Sequence, residues 1–225
     1  EKSPLFYTPR DVQLARGHYY PYPAQTDIAR ERTEDVAHEM IYLENEYVKV
    51  SVFPALGGKL QTAIDKTNGY EIFHLNTSIK PGLIGTLGAW VSGGIEWCFP
   101  DHHRTTTMML SDHYIQKHDN GSITVWTGEI ERKKRLKGNV GITLHPGSSL
   151  IHVDYRISHT SPMTETFLFW ANASMEANED YRVFWPPSQE IGVFHKNNDV
   201  TQWPVSRQKY KQNDYAAGVD LTWWK

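Results

Sequence analysis

The sequence contains one cysteine, Cys98, among 225 residues, so an internal disulfide cannot form. It has no apolar run near the ~20 residues that cross a bilayer as a helix, and we expect no membrane span. A glycine-rich phosphate loop and a Gly-x-Ser-x-Gly motif are both missing, which argues against nucleotide chemistry and against a hydrolase of that type. Since no other cofactor-binding pattern is present, we expect no cofactor.

An excess of positive charge is missing too. The net charge is −3, and lysine and arginine are scattered along the chain. Nucleic-acid-binding proteins concentrate basic residues on one surface. The densest basic run, residues 132–137, is typical of a solvated strand or loop, so we predict no nucleic-acid partner.

Helical periodicity is weak, whereas apolar and polar residues alternate in several segments. The alternation is clearest in residues 48–52, 60–64, 140–144 and 151–157. A period of two is typical of strands with one buried face. Asp119-Asn120-Gly121 and similar turns separate these segments. The pattern predicts an all-β fold, a large antiparallel β-sandwich.

The amino-acid composition differs between the first 38 residues and the rest of the chain. Residues 1–38 are polar and rich in tyrosine and proline, which predicts an irregular arm packed on the sheet. Residues 39–225 are predicted to form a single β domain. The alternation of Val219, Leu221 and Trp223 near the end indicates a further strand, so we expect the sandwich to be incomplete at the C-terminus.

Chemically useful residues concentrate in residues 88–104. This run holds Trp90 and Trp97, a carboxylate at Glu96, and a Gly-Gly pair that permits a tight turn. Indole faces pack on the apolar faces of sugars, while carboxylates bind hydroxyl groups and move protons. The run therefore predicts one wall of a carbohydrate site. We expect a raised pKa at Glu96 beside the indoles and a general acid or base role; the alternative is a glutamate that ties down a loop.

Two histidines and an arginine follow. Adjacent residues on a strand point to opposite faces, so one of His102 and His103 is expected to reach the site as the proton-transfer partner of Glu96. Arg104 is expected to orient a carboxylate, of Glu96 or of a substrate. The spacing of the other histidines matches no metal motif, and no metal is predicted. Histidines on a solvated loop are the alternative.

A second aromatic segment covers residues 167–173. It places Trp170 as a further stacking residue and Asn172 as a hydroxyl contact or a structural bridge. Trp185, followed by two prolines, is either a fourth indole at the site or a plug between sheets.

Several segments resemble known families. Residues 43–50 and 54–60, a strand followed by a Gly-Gly turn, resemble the opening of galactose-mutarotase-like supersandwich domains. The Gly-Ala-Trp-x-x-Gly-Gly-x-Glu-Trp run at 88–97, with His102-His103-Arg104, resembles a narrower, largely uncharacterised bacterial family with that fold, often fused to tetratricopeptide repeats. Phe169-Trp170-Ala171-Asn172 and Trp203-Pro204 also resemble that family.

The resemblance implies a supersandwich that binds a sugar in a concave β-sheet cleft. Epimerases of the broader superfamily use a histidine acid and a glutamate base, but the matching strand, Phe169 to Ala173, has no histidine here, and their glutamate would fall beyond Lys225. Two functions follow. One is a sugar epimerase or glycoside hydrolase-like enzyme. The other is a non-catalytic carbohydrate-binding module of a larger protein, fused to a helical repeat region. Bacterial cytoplasm and periplasm are both open as the location.

Overall fold

A computed structural model describes residues 33–80, 82–84, 88–100, 103–104, 106–194 and 199–203, with side chains except at 82–84, 88–90, 194 and 199. The chain divides into two compact units between Met175 and Glu176. Of the predicted arm, residues 1–32 lie outside the described ranges, and residues 33–38 have no regular secondary structure. The prediction of one domain over 39–225 stays a prediction.

Fourteen strands occur in the described residues. Their bounds are β1 Ile41–Glu44, β2 Val48–Phe53, β3 Lys59–Asp65, β4 Tyr70–Glu71, β5 Gly82–Ile84, β6 Gly88–Trp90, β7 Ile95–Cys98, β8 Asp112–Lys117, β9 Ile123–Ile130, β10 Leu136–Leu144, β11 Ile151–His159, β12 Trp170–Ala173, β13 Ile191–Phe194 and β14 Asp199–Gln202. One 3-10 turn, Pro54–Leu56, joins β2 to β3. Within these ranges, no helix has the length and apolar character needed to cross a membrane.

The first unit contains two antiparallel sheets that share a core. Sheet I has the order β1-β2-β3-β7-β12, with β4 beside β3, and sheet II has the order β11-β10-β9-β8. The alternating positions of both sheets meet in one cluster, to which Val50 and Leu60 contribute from sheet I and Val125 and Ile142 from sheet II. Each of these four side chains is almost fully buried, so burial of apolar surface holds the sheets face to face. The predicted all-β antiparallel sandwich is confirmed.

Two short hairpins complete the described structure. Strands β5 and β6 pair in the first unit, and β13 and β14 pair in the second. The predicted strand at Val219, Leu221 and Trp223 lies outside the described residues.

Candidate functional site

The Gly-Gly pair makes the turn that leads into β7. Gly93 and Gly94 have φ angles of 95° and 62°, in the left-handed region that favours glycine. A Cβ on Gly94 would lie 2.1 Å from the carbonyl oxygen of Leu60, so a side chain does not fit there. The close approach sets β7 beside β3, where Leu60 pairs with Ile95.

Alternation along β7 separates its side chains between two faces. Trp97 points into the core shared by the sheets, whereas Glu96 and Cys98 point to the outer face of sheet I. Strand β12 pairs with β7 so that Asn172 lies opposite Glu96 and Trp170 lies opposite Cys98. The register therefore brings residues separated by more than 70 positions onto one face.

The Glu96 carboxylate is buried, with 5% of the residue exposed, and it is held by hydrogen bonds. His103 Nδ1 lies 3.2 Å from Oε1 and 3.0 Å from Oε2. Asn172 Nδ2 donates to Oε2 at 3.3 Å, and the Thr107 hydroxyl donates to Oε1 at 3.5 Å. Asn172 Nδ2 also lies 3.6 Å from Cys98 Sγ. Glu96, Cys98, His103, Asn172 and the nearby Lys59 are called the polar cluster below.

The protonation of Glu96 differs from the sequence-based expectation. Burial raises the pKa of its carboxyl group, but the hydrogen bond and the charge of His103, with the Asn172 amide, outweigh burial and leave the pKa below its usual value. The predicted raised pKa of Glu96 is therefore wrong, because hydrogen-bond donors surround the buried carboxylate. An ionised Glu96 can orient a neighbouring imidazole and stabilise its protonated form, whereas it has no proton to donate.

That partner is His103. A carboxylate only accepts hydrogen bonds, so Nδ1 carries the proton that faces Glu96, and in the neutral form of the ring the lone pair is on Nε2. The His103 side chain is 23% exposed against 6% for Glu96, so the imidazole lies between the buried acid and the solvent. Its ring meets the half-buried Trp170 edge to face, with centroids 5.7 Å apart and planes at 82°. The arrangement can transfer a proton at a surface beside an indole.

Lys59 is a buried cation that sequence reasoning missed. It is 2% exposed, on the face of β3 opposite the core residue Leu60, and its Nζ donates to the Val91 carbonyl at 3.1 Å. Burial lowers its pKa from the ordinary 10.5 to about 8, and the negative charge of Glu96 opposes this shift. The only signal in the sequence is a lysine that starts an apolar strand after Gly57-Gly58, and such a lysine is usually solvated.

Burial of Lys59 predicts a pH-dependent stability. In the unfolded chain the amine keeps its proton up to about pH 10.5, whereas in the folded chain it releases it near pH 8. Between these values the unfolded state binds more protons, so the free energy of unfolding rises with pH. Relative to Lys59→Met, the wild-type protein should gain up to about 3 kcal/mol from pH 7.5 to 10.5.

Urea unfolding of both proteins at several pH values measures this gain. Lys49→Met, at a lysine of β2 whose side chain is 43% exposed, is the matched control and should show no such trend. If the difference in the free energy of unfolding between wild type and Lys59→Met does not change with pH, the Lys59 amine is exposed to water in the folded protein.

Trp97 lies in the core, and Arg104 contacts Gly57 and Glu129. Trp97 is 4% exposed in the core, and its indole nitrogen has no hydrogen-bond partner among the described residues. We therefore leave Trp97 out of the proposed binding surface. Arg104 donates to the Gly57 carbonyl, and its Nε lies 3.7 Å from a carboxylate oxygen of Glu129, so it ties the loop after β7 to the β2–β3 turn.

The remaining predicted residues are dispersed. Trp185 lies in the second unit, where its ring meets Trp203 edge to face at 5.5 Å and 46% of the residue is exposed. Trp90 ends β6, and its side chain is outside the described part of the structure, as is the whole of His102.

Three residues of the polar cluster also carry metal-type donor atoms. A Glu96 carboxylate oxygen, Cys98 Sγ and His103 Nδ1 all lie within 4.8 Å of one another. A cation shared by the three would require the thiolate of Cys98. Burial and the nearby carboxylate raise the pKa of this thiol, which favours its neutral form. In the described geometry the three side chains are joined by hydrogen bonds instead.

Comparison with known proteins relates this fold and site to other chains. The chain is similar to a crystal structure of a TPR-domain containing protein from Parabacteroides distasonis ATCC 8503, with 28% sequence identity and a TM-score of 0.56. The similarity covers 60% of this chain and spans 23% of that one. Residues 15–225 match a family described as a domain of unknown function, DUF5107. The match extends over the polar cluster and both sheets, and the chain belongs to the DUF5107 family.

Proposed function

We propose that this chain is a carbohydrate-active domain of the galactose-mutarotase-like class, with His103 as the proton-transfer residue and Glu96 as its positioning residue. The observation that carries the proposal is the contact of His103 Nδ1 with a buried, ionised carboxylate at 3.0 Å. A carboxylate in this position fixes the imidazole tautomer and stabilises the imidazolium that forms on proton uptake. The neighbouring Trp170 supplies an aromatic face of the kind that packs on sugar rings.

The chemistry of aldose ring opening fits this pair. Nε2 of neutral His103 takes the proton of the anomeric hydroxyl while the bond from the anomeric carbon to the ring oxygen breaks. A second proton donor, from water or from the protein, must protonate the ring oxygen. Closure from either face of the carbonyl then gives the other anomer.

Anomer exchange measured by NMR tests the catalytic proposal. The full chain is incubated with a panel of aldoses, and the interconversion rate is compared with the uncatalysed rate. Aryl glycosides test bond cleavage in parallel. We expect catalysis by the wild-type protein and a loss of at least ~100-fold in His103→Gln, because general acid–base catalysis contributes about that much or more. His113→Gln, at an exposed histidine of β8, is the matched control and should keep the rate.

A second candidate function is a non-catalytic sugar-binding module of a larger protein. Two observations favour it: Glu96 is nearly inaccessible, and the similar Parabacteroides distasonis protein is several times longer than the matched region. Sugar binding that requires Trp170, without turnover of any substrate by the wild-type protein, would support the module and contradict the enzyme.

A further inference from the structure

The outer face of sheet II carries a cleft of about 300 Å³, on the sheet that does not contain Glu96. All four strands or the turns between them contribute to its lining. Every lining side chain is polar apart from the indole of Trp126. Pockets for apolar ligands are lined mainly by aliphatic and aromatic side chains, so the residue types of this cleft suit a ligand with hydroxyl or charged groups.

The floor of the cleft is a fixed chain of hydrogen-bonding side chains. Thr124 and Thr143 lie opposite each other on β9 and β10, with their hydroxyl oxygens 2.7 Å apart. His118 Nε2 lies 2.8 Å from the Thr124 hydroxyl. Both threonines are buried, at 2% and 7% exposed. Held in this way, the floor presents oriented donors and acceptors of the kind that bind sugar hydroxyls.

An arginine that lies over an indole forms the wall. Gly141 lies opposite Trp126 in the register, and a Cβ there would come within 2.6 Å of the indole, so only glycine lets the ring lie against β10. The indole Nε1 donates to Gln116 Oε1 at 2.9 Å, which fixes the ring. The Arg156 guanidinium carbon lies 4.3 Å from the ring centroid. A guanidinium over an aromatic ring can still bind a carboxylate or phosphate through paired hydrogen bonds from its N–H groups.

Nitrogen-bearing side chains outnumber carboxylates in the lining, which suits a ligand that accepts hydrogen bonds. Besides Arg156 the lining includes three imidazoles, of which His145 and His152 meet edge to face with centroids 5.0 Å apart. Asp154 is the single carboxylate of the lining. It lies two residues before Arg156 on the same face of β11 and can accept hydrogen bonds from ligand hydroxyls.

We propose that this cleft is a binding site for an anionic sugar, a saccharide unit that carries a carboxylate or a phosphate. The anionic group binds the Arg156 guanidinium, and the hydroxyl groups bind the threonine and histidine floor. A volume near 300 Å³ is at the small end of ligand sites and accommodates one saccharide unit rather than a long chain. The site is independent of the Glu96–His103 pair, which lies on the outer face of sheet I.

Calorimetric titration of the full chain with five probes tests the ligand chemistry. Glucuronate and glucose 6-phosphate are the two anionic sugars, glucose is the neutral sugar, and acetate and inorganic phosphate are the anions alone. We expect at least one anionic sugar to bind about tenfold or more tightly than glucose and than its own simple anion. Binding of glucuronate would identify the anionic group as a carboxylate, and binding of glucose 6-phosphate would identify it as a phosphate. Equal affinity for glucose or for the simple anion would overturn the proposal.

Two variants locate the binding. Arg156→Gln should weaken it at least tenfold, and Thr143→Val, which removes a floor hydroxyl at nearly constant shape, should also weaken it. Lys117→Gln is the matched control, because this exposed lysine of β8 alternates to the other face between Gln116 and His118. Circular dichroism confirms that each variant is folded.

His103→Gln separates the two proposed sites. It should leave affinity for the anionic sugar unchanged, because its side chain belongs to sheet I. The cleft is ruled out if Arg156→Gln binds as tightly as Lys117→Gln, or if His103→Gln abolishes binding.

Discussion

Replacing Trp97 with alanine is expected to lower the free energy of unfolding by about 3–5 kcal/mol, the range for removing a buried aromatic side chain. Trp97 packs against residues of both sheets and is only 4% exposed. Its loss leaves a cavity where β7 meets the core, and β7 also carries Glu96. Urea unfolding followed by far-ultraviolet circular dichroism measures the effect.

Two comparisons define what Trp97 contributes. Trp97→Phe should destabilise much less than the alanine variant, because it keeps a buried ring and removes an indole N–H that has no partner among the described residues. Trp185→Ala, at a tryptophan that is 46% exposed, should change the free energy of unfolding by about 1 kcal/mol or less. A Trp97→Ala protein as stable as Trp185→Ala would contradict the core position of Trp97.

The strands were predictable because alternation is a local property. Residues 48–52, 60–64, 140–144 and 151–157 fall within β2, β3, β10 and β11. The turn at Asp119-Asn120-Gly121 joins β8 to β9, with Gly121 at a φ of 81°. Each assignment needed only neighbouring residues, so the sequence alone predicted the all-β class and the β8–β9 hairpin of sheet II.

The composition of the polar cluster was only partly predictable. Glu96, His103 and Asn172 were singled out as chemically useful types. His103 lies only seven positions from Glu96, but the contact of Asn172 with Glu96 depends on β7 pairing with β12 across 76 positions. The alternation of side chains along β7 already indicated that Trp97 and Glu96 lie on different faces of the strand. That local rule is better evidence for the position of Trp97 than the general ability of indoles to pack on sugars. Lys59 gave no usable signal, since burial of a lysine depends on the loops that cover it.

The cleft of sheet II was missed for a related reason. Thr124, Thr143, Asp154 and Arg156 each occupy the polar position of an alternating strand, which is ordinarily a solvated face. Their concentration becomes visible only when β9, β10 and β11 are set in register. A stronger sequence signal was Gly141 between Val140 and Ile142 in β10, because an interior glycine often marks the close approach of another group.

Replacing Glu96 with glutamine is expected to reduce the rate of sugar turnover by about 10²- to 10⁴-fold, if the chain acts through His103. The amide has nearly the shape of the carboxylate but no charge. It can present its NH₂ group to His103 Nδ1, which favours the tautomer with the proton on Nε2. That tautomer lacks the lone pair that accepts the substrate proton, and the imidazolium formed in the reaction loses its counter-charge.

A matched carboxylate distinguishes this effect from general disturbance of the loop. Glu129 is also partly buried, and it accepts a hydrogen bond from Thr106 beside Arg104. Glu129→Gln should therefore keep the turnover rate within a few-fold while changing stability to a similar degree. A positioning role also predicts that Glu96→Gln lowers kcat more than it raises KM, because the carboxylate acts on His103 rather than on the bound sugar. If Glu96→Gln turns over sugar at the wild-type rate, the buried carboxylate only holds the loop against β7. His103 would then lack the partner on which its catalytic role depends.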